Sequence, residues 1–160
     1  MTESTVSLGE VFNGQFLRIH RNSLSLIEAV PADRLYWKPR ETQGVIPVHS
    51  CGEQVLRSAG IVERTFGGLT TNLWDDPFEW TLPEILSTSD LVNSYLNEVE
   101  ATRLRGFQLF RSDGDFMKEI VGPSGERQTI SSLLMDTLVS SAHHQGRAFA
   151  TFRFFSNGFR

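Results

Sequence analysis

One cysteine, Cys51, stands in 160 residues, so no internal disulfide can form and the chain suits a reducing cytosol. No apolar run approaches the roughly 18 residues that a bilayer span requires. No charged-then-apolar leader opens the sequence. A cytoplasmic protein without a membrane partner is the expectation. A basic excess is lacking as well: 15 Lys and Arg stand against 19 Asp and Glu, for a net charge of −4. A backbone binder needs a basic face, so nucleic acid is not expected as a partner. A local basic patch stays open, because Arg147, Arg153 and Arg160 gather late in the chain. There is no GxSxG, no phosphate-binding glycine loop and no cysteine cluster. Tyrosine is scarce, two residues against twelve phenylalanines, which points to an aromatic-rich interior. No internal repeat, low-complexity tract or linker divides the chain, and 1–160 reads as a single domain.

What is present is helical periodicity. Leu8 to Val30 places Phe12, Phe16, Ile19, Ser23, Leu24 and Ile27 on one stripe, with His20 beside it, and Pro31 ends it. The link from Pro31 to His49 carries Leu35 and Trp37 and is punctuated by Pro39, Gly44 and Pro47. It is expected to cover one end of the core, with Trp37 as a packing anchor. Ser50 and Glu53 form an S-x-x-E capping box that opens a second helix. Its apolar face runs Val55, Leu56, Ala59, Val62, Phe66, and Gly67-Gly68 is expected to stop it. A long connection rich in tryptophan and proline follows. The third helix starts near Ser87, Thr88 or Ser89 and carries Leu91, Tyr95, Val99, Thr102, Phe107 and Phe110 as its stripe. Residues 116–129 hold a small hairpin or an irregular loop around Gly122-Pro123-Ser124-Gly125. The last helix begins at about Thr129 and runs to Phe155 without proline. Four such segments predict an all-α, antiparallel four-helix bundle with long ordered connections.

Three stretches resemble one known family. IEAVPADRLYWKPRE resembles the link after the first helix of DinB-like (DinB/YfiT) proteins. HSCGEQVLRSAGIVERTF is similar to their second helix. ERQTISSLLMDTLVSSAHHQGRAFATFRFF is similar to their last helix with its His-His pair. The resemblance covers nearly the whole chain in order. It implies a four-helix bundle, commonly a homodimer, often with a divalent metal such as zinc or nickel held by three histidines. Some relatives are thiol-dependent S-transferases. The family's first ligand position, five residues before the glutamate that matches Glu63, holds Ser58 here. The last-helix pair matches Ser140 and His144, so one ligand of three is retained. A serine hydroxyl stays protonated at neutral pH and is a weak donor to zinc or nickel, so the expectation is a degenerate metal site with no resident metal.

Three readings stay open. The first is a binding or interaction protein, a homodimer, using a polar pocket between Ser58, Ser140 and His144 for a small-molecule ligand. The second is a metal-dependent or thiol-dependent transferase or hydrolase with a rearranged ligand set, for instance His20 with His144. The third is a structural or regulatory dimeric module. His144 is expected to hydrogen-bond Ser58 or Ser140. His143 points about 100° away from it and suits a surface or an interface. Gly146 is expected to permit close helix approach, and Arg147 suits a surface or interface charge. Cys51 sits in the first turn of the second helix, where the dipole favours a thiolate, with His49 nearby in sequence. The preferred reading is a small buried structural residue. Glu98, Glu100, Asp75 and Asp76 read as solvated charge.

Overall fold

The structure, a computed structural model, describes residues 6–39 and 47–156. Gly44, which the sequence places in the first link, falls outside the described residues. Four helices and one small hairpin make up the regular structure: α1 (Leu8–Ala29), α2 (Cys51–Thr71), α3 (Ser89–Phe107), β1 (Glu119–Val121), β2 (Arg127–Thr129) and α4 (Ile130–Ser156).

Local chemistry sets the ends of these elements. Ser7 and Glu10 form a reciprocal capping box at the start of α1, and Val30, extended before Pro31, closes it. Ser50 and Glu53 repeat the device at α2: the Ser50 amide donates to Glu53 Oε2 at 2.7 Å, and the Glu53 amide donates to Ser50 Oγ at 3.2 Å. α2 does not stop at Gly67-Gly68. It continues to Thr71 and ends on Asn72, whose φ of 57° is left-handed. Gly68 serves packing instead, since a Cβ there would meet the Trp74 ring at 2.0 Å. Thr88 caps α3 by accepting from the Leu91 amide. The hairpin pairs Glu119 with Thr129 and Val121 with Arg127, and Gly125 turns it at φ 80°. Thr129 then caps α4, accepting from the Ser132 amide at 3.2 Å.

Each helix packs chiefly on two others: α2 between α3 and α4, and α1 also between α3 and α4. Side-chain bonds give the directions. Gln54 meets His144 while Thr65 meets Thr137, so α2 and α4 run antiparallel. Asn13 meets Arg103 near the start of α1 and the end of α3, which is the antiparallel sense again. α2 and α3 run the same way, because Glu63 reaches Tyr95 early in α3 while Phe66 lies on Gly106 and Phe107 at its end. That pair departs from an all-antiparallel arrangement. A same-direction neighbour needs a long crossover, and the stretch from Asn72 to Thr88 supplies it.

The core is a chain of phenylalanines. Phe16, Phe66, Phe107, Phe110, Phe116 and Phe12 contact one another in that order at centroid distances of 4.6–5.7 Å. Gly106 makes this possible, since a Cβ there would strike Phe66 at 2.5 Å. Leu35 is buried and Trp37 packs its edge against Phe155, so the described part of the first link covers one end of the core. The stripe of α3 is Val92, Leu96, Val99 and Arg103 together with Tyr95. Leu91, expected inside, is exposed, and Phe110 lies beyond the helix end. No helix among the described residues is long and apolar enough to cross a membrane.

Candidate functional site

α2 and α4 meet along a polar seam. Ser58 and Ser141, both fully buried, exchange hydrogen bonds: Ser58 Oγ to Ser141 O at 2.9 Å, Ser141 Oγ to Ser58 O at 2.9 Å, and Oγ to Oγ at 2.8 Å. One level along, the hydroxyls of Thr65 and Thr137 lie 2.8 Å apart, and Thr137 also donates to Leu133 O. At the other end, His144 Nδ1 donates to Gln54 Oε1 at 2.7 Å, which leaves Nε2 of the neutral ring as an acceptor. Gln145, the next residue, points to α1 and donates to Ile19 O and Ser23 Oγ. Helical geometry explains the division, since neighbours differ by about 100° in direction.

The three residues expected to share a pocket part company. Ser58 faces Ser141. Ser140 is exposed, one residue step around the helix from Ser141. His144 is half-buried, bonded to Gln54 rather than to a serine, and borders a cleft of about 160 Å³. The opposite walls of that cleft are α2, through Arg57, Ile61 and Arg64, and the short turn Pro77–Trp80, through Pro77 and Phe78. Thus the aromatic-rich connection packs over α2 beside His144. Gln54, Arg57 and Ser141 carried no motif. Their signal is periodicity alone: Arg57 and Ser58 lie three and four residues after Gln54 on α2, and His144 lies three after Ser141 on α4.

The electrostatics around His144 are positive. Burial lowers its pKa first, and the neighbouring His143, Arg57, Arg147 and His49 lower it further. His49 is lowered in the same way, by burial and then Arg57, although Glu53 opposes this. Its Nδ1 lies 3.9 Å from Glu53 Oε1 and has no hydrogen-bond partner among the described residues. Arg147 reaches back to Pro47 O at 3.4 Å. His143 is exposed, with its ring centroid 5.7 Å from that of His144. Gly146 has open space around its Cβ position, so it brings no helix of this chain closer.

A metal does not fit these side chains. Among the described residues no group of three or more His, Cys, Asp or Glu is arranged to hold an ion. Ser58 has its hydroxyl committed to Ser141, and His20 faces Glu100 and Arg103 across the helices from His144. Cys51 is fully buried, and that burial pushes its thiol up to about 12, which disfavours the thiolate that a nucleophile needs.

A wider open groove of about 560 Å³ lies between the start of α1 and the end of α3. Several of its polar side chains are engaged in capping: Ser7 and Glu10 with each other, and Asp113 with the Leu8 amide at 2.9 Å. The cleft at His144 keeps donors facing open space, and it is the stronger candidate on chemistry.

Two residues whose structural roles the sequence did not show are central to the architecture. Arg103, 1% exposed, forks onto Glu100 at 2.6 and 2.8 Å and donates to Asn13 Oδ1 at 2.6 Å. Glu63, whose pKa is raised chiefly by burial, accepts from Tyr95. Comparison with protein-family models, with curated proteins and with solved structures finds no match to this chain.

Proposed function

We propose that this chain is a DinB-like four-helix bundle without the family's three-histidine metal site, acting in the cytosol as a homodimeric small-molecule binding protein. The ligand would enter the cleft beside His144. One observation carries the reading. The hydroxyl at the first expected ligand position, Ser58, is buried and saturated by Ser141, while His144 keeps one flank on an open cleft. Polar groups that satisfy one another hold helices together, and polar groups facing a cleft are free to bind. The order of the helices, the capped start of α2 and the retained His144 support the resemblance. The protonated, buried Cys51 fits a reducing compartment and weighs against thiol chemistry.

Elemental analysis of protein purified without a histidine tag tests the reading. The expected result is well below one divalent ion per chain, and no rise in the unfolding temperature on adding zinc or nickel. One ion per chain that survives dialysis and is lost in His144→Ala would overturn it.

A further inference from the structure

The cleft carries information about what it would hold. Two guanidinium groups, Arg57 and Arg64, and one imidazole, His144, line it against a single carboxylate, Asp76. Asp76 is partly committed, since its Oδ1 accepts from the Phe78 amide at 3.1 Å and caps the turn Pro77–Trp80. Arg64 is held by one bond, Nε to Trp74 O at 3.1 Å, so its two terminal nitrogens are oriented but not consumed by that contact. Arg57 lies 5.9 Å over the Phe78 ring, and no carboxylate is paired with it among the described residues. Guanidinium groups arranged in this way match the planar fork of a carboxylate. The remaining wall, Ile61, Pro77 and Phe78, is apolar. A volume of about 160 Å³ is close to the ~150 Å³ that accommodates a benzene ring.

Resting on the small-molecule reading above, we infer that the cleft takes a small organic monoanion, a carboxylate on an apolar body of about one ring. Arg57 and Arg64 bind the carboxylate, Phe78 and Ile61 the body, and His144 closes the inner side. The positive surroundings that disfavour protonation of His144 are the same field that attracts the anion.

Benzoate and its neutral isostere benzamide, titrated into the full chain and followed by NMR, test this. Benzoate is expected to shift the His144 ring and the Arg57 and Phe78 amides saturably. Benzamide should bind about tenfold more weakly or worse, the scale of a charge-assisted hydrogen bond. Arg57 is exposed, so Arg57→Gln should leave the thermal unfolding curve in place while narrowing the gap between benzoate and benzamide. Phe78→Ala should weaken both probes alike. Equal binding of both probes at the same cleft signals would overturn the anion class and leave the small-molecule cleft standing. Failure of both probes to shift those signals would overturn the anion inference and remove the support for the cleft, independently of the metal result.

Discussion

Ser58 and Ser141 show how one residue step decides a site. The resemblance pairs Ser140 with His144, four residues apart, yet the side chain that meets Ser58 belongs to Ser141. Each hydroxyl of the pair satisfies the other helix's carbonyl. Ser58→Ala should therefore cost about 1–3 kcal/mol, because the buried Ser141 carbonyl loses the Ser58 hydroxyl that donates to it, whereas Ser140→Ala should be near neutral. In urea unfolding, the double variant Ser58→Ala with Ser141→Ala should cost clearly less than the sum of the singles. Additive losses would show that the pair is not coupled. His144 was legible in the sequence because a His-His pair on a long helix draws attention. Its partner Gln54 was not, since glutamine on a helix carries no motif. The histidines also set a pH response. His20, His49 and His144 all have folded pKa values below the ordinary 6.5, with burial the first cause in each. A depressed folded value means stability that is complete above 6.5 and is lost as pH falls through the folded values. Glu63, raised by burial, contributes in the opposite sense near the carboxylate range. The thermal midpoint is expected to fall between pH 7 and pH 5, and less steeply in His144→Asn. A midpoint that rises over that interval would refute the assignment.

At the scale of elements, α2 was the most legible part of the fold and α3 the least. The S-x-x-E signature gives the start of α2 to the residue, because the capping box is a local device that owes nothing to tertiary contacts. Ser50→Ala should lower stability by about 1 kcal/mol. Glu53→Gln should cost less, because the amide can still accept from the Ser50 amide but loses the ion pair with Lys38 at 3.2 Å. Denaturant titration of the two variants would rank them, and the reverse order would move the weight from the cap to the ion pair. The end of α2 was illegible for a physical reason: its double glycine looks like a stop, while the structure uses Gly68 to seat Trp74. In α3 the stripe turned by one position because an arginine belongs to it. A pattern reader expects Arg103 in solvent. The protein instead buries it on Glu100 and Asn13, with its guanidinium 5.2 Å over Phe107. Arg103→Ala should cost up to about 3–5 kcal/mol, the upper end of the penalty for leaving the half-buried Glu100 carboxylate without its partner.

At the scale of the whole molecule, the outer face of α4 bears on the proposed homodimer. Met135, Val139 and Phe149 are 53%, 63% and 38% exposed, and Gly146 and Ala150 share that face. An antiparallel pairing of two α4 helices about an axis at Ala142 and His143 would set Met135 opposite Ala150 and Val139 opposite Gly146. Large side chains would then meet small ones, and the open space at Gly146 would receive the partner's valine. The same register brings Asp136 within one helical turn of Arg153 across the axis, so charges of opposite sign meet. A two-fold contact must be self-complementary, and this register would make the face so. With 27 residues, α4 extends about 40 Å, long enough to form the spine of an interface of about 800 Å² per subunit. Val139 is exposed, so Val139→Glu should leave the helix content of each chain unchanged while placing two carboxylates in a dry contact. Light scattering coupled to gel filtration is expected to show a dimer for the native chain and a monomer for Val139→Glu. Val139 does not line the cleft beside His144, so the monomeric variant should still bind benzoate. A native chain that is monomeric, or a Val139→Glu chain that remains dimeric, would remove the α4 face as the contact.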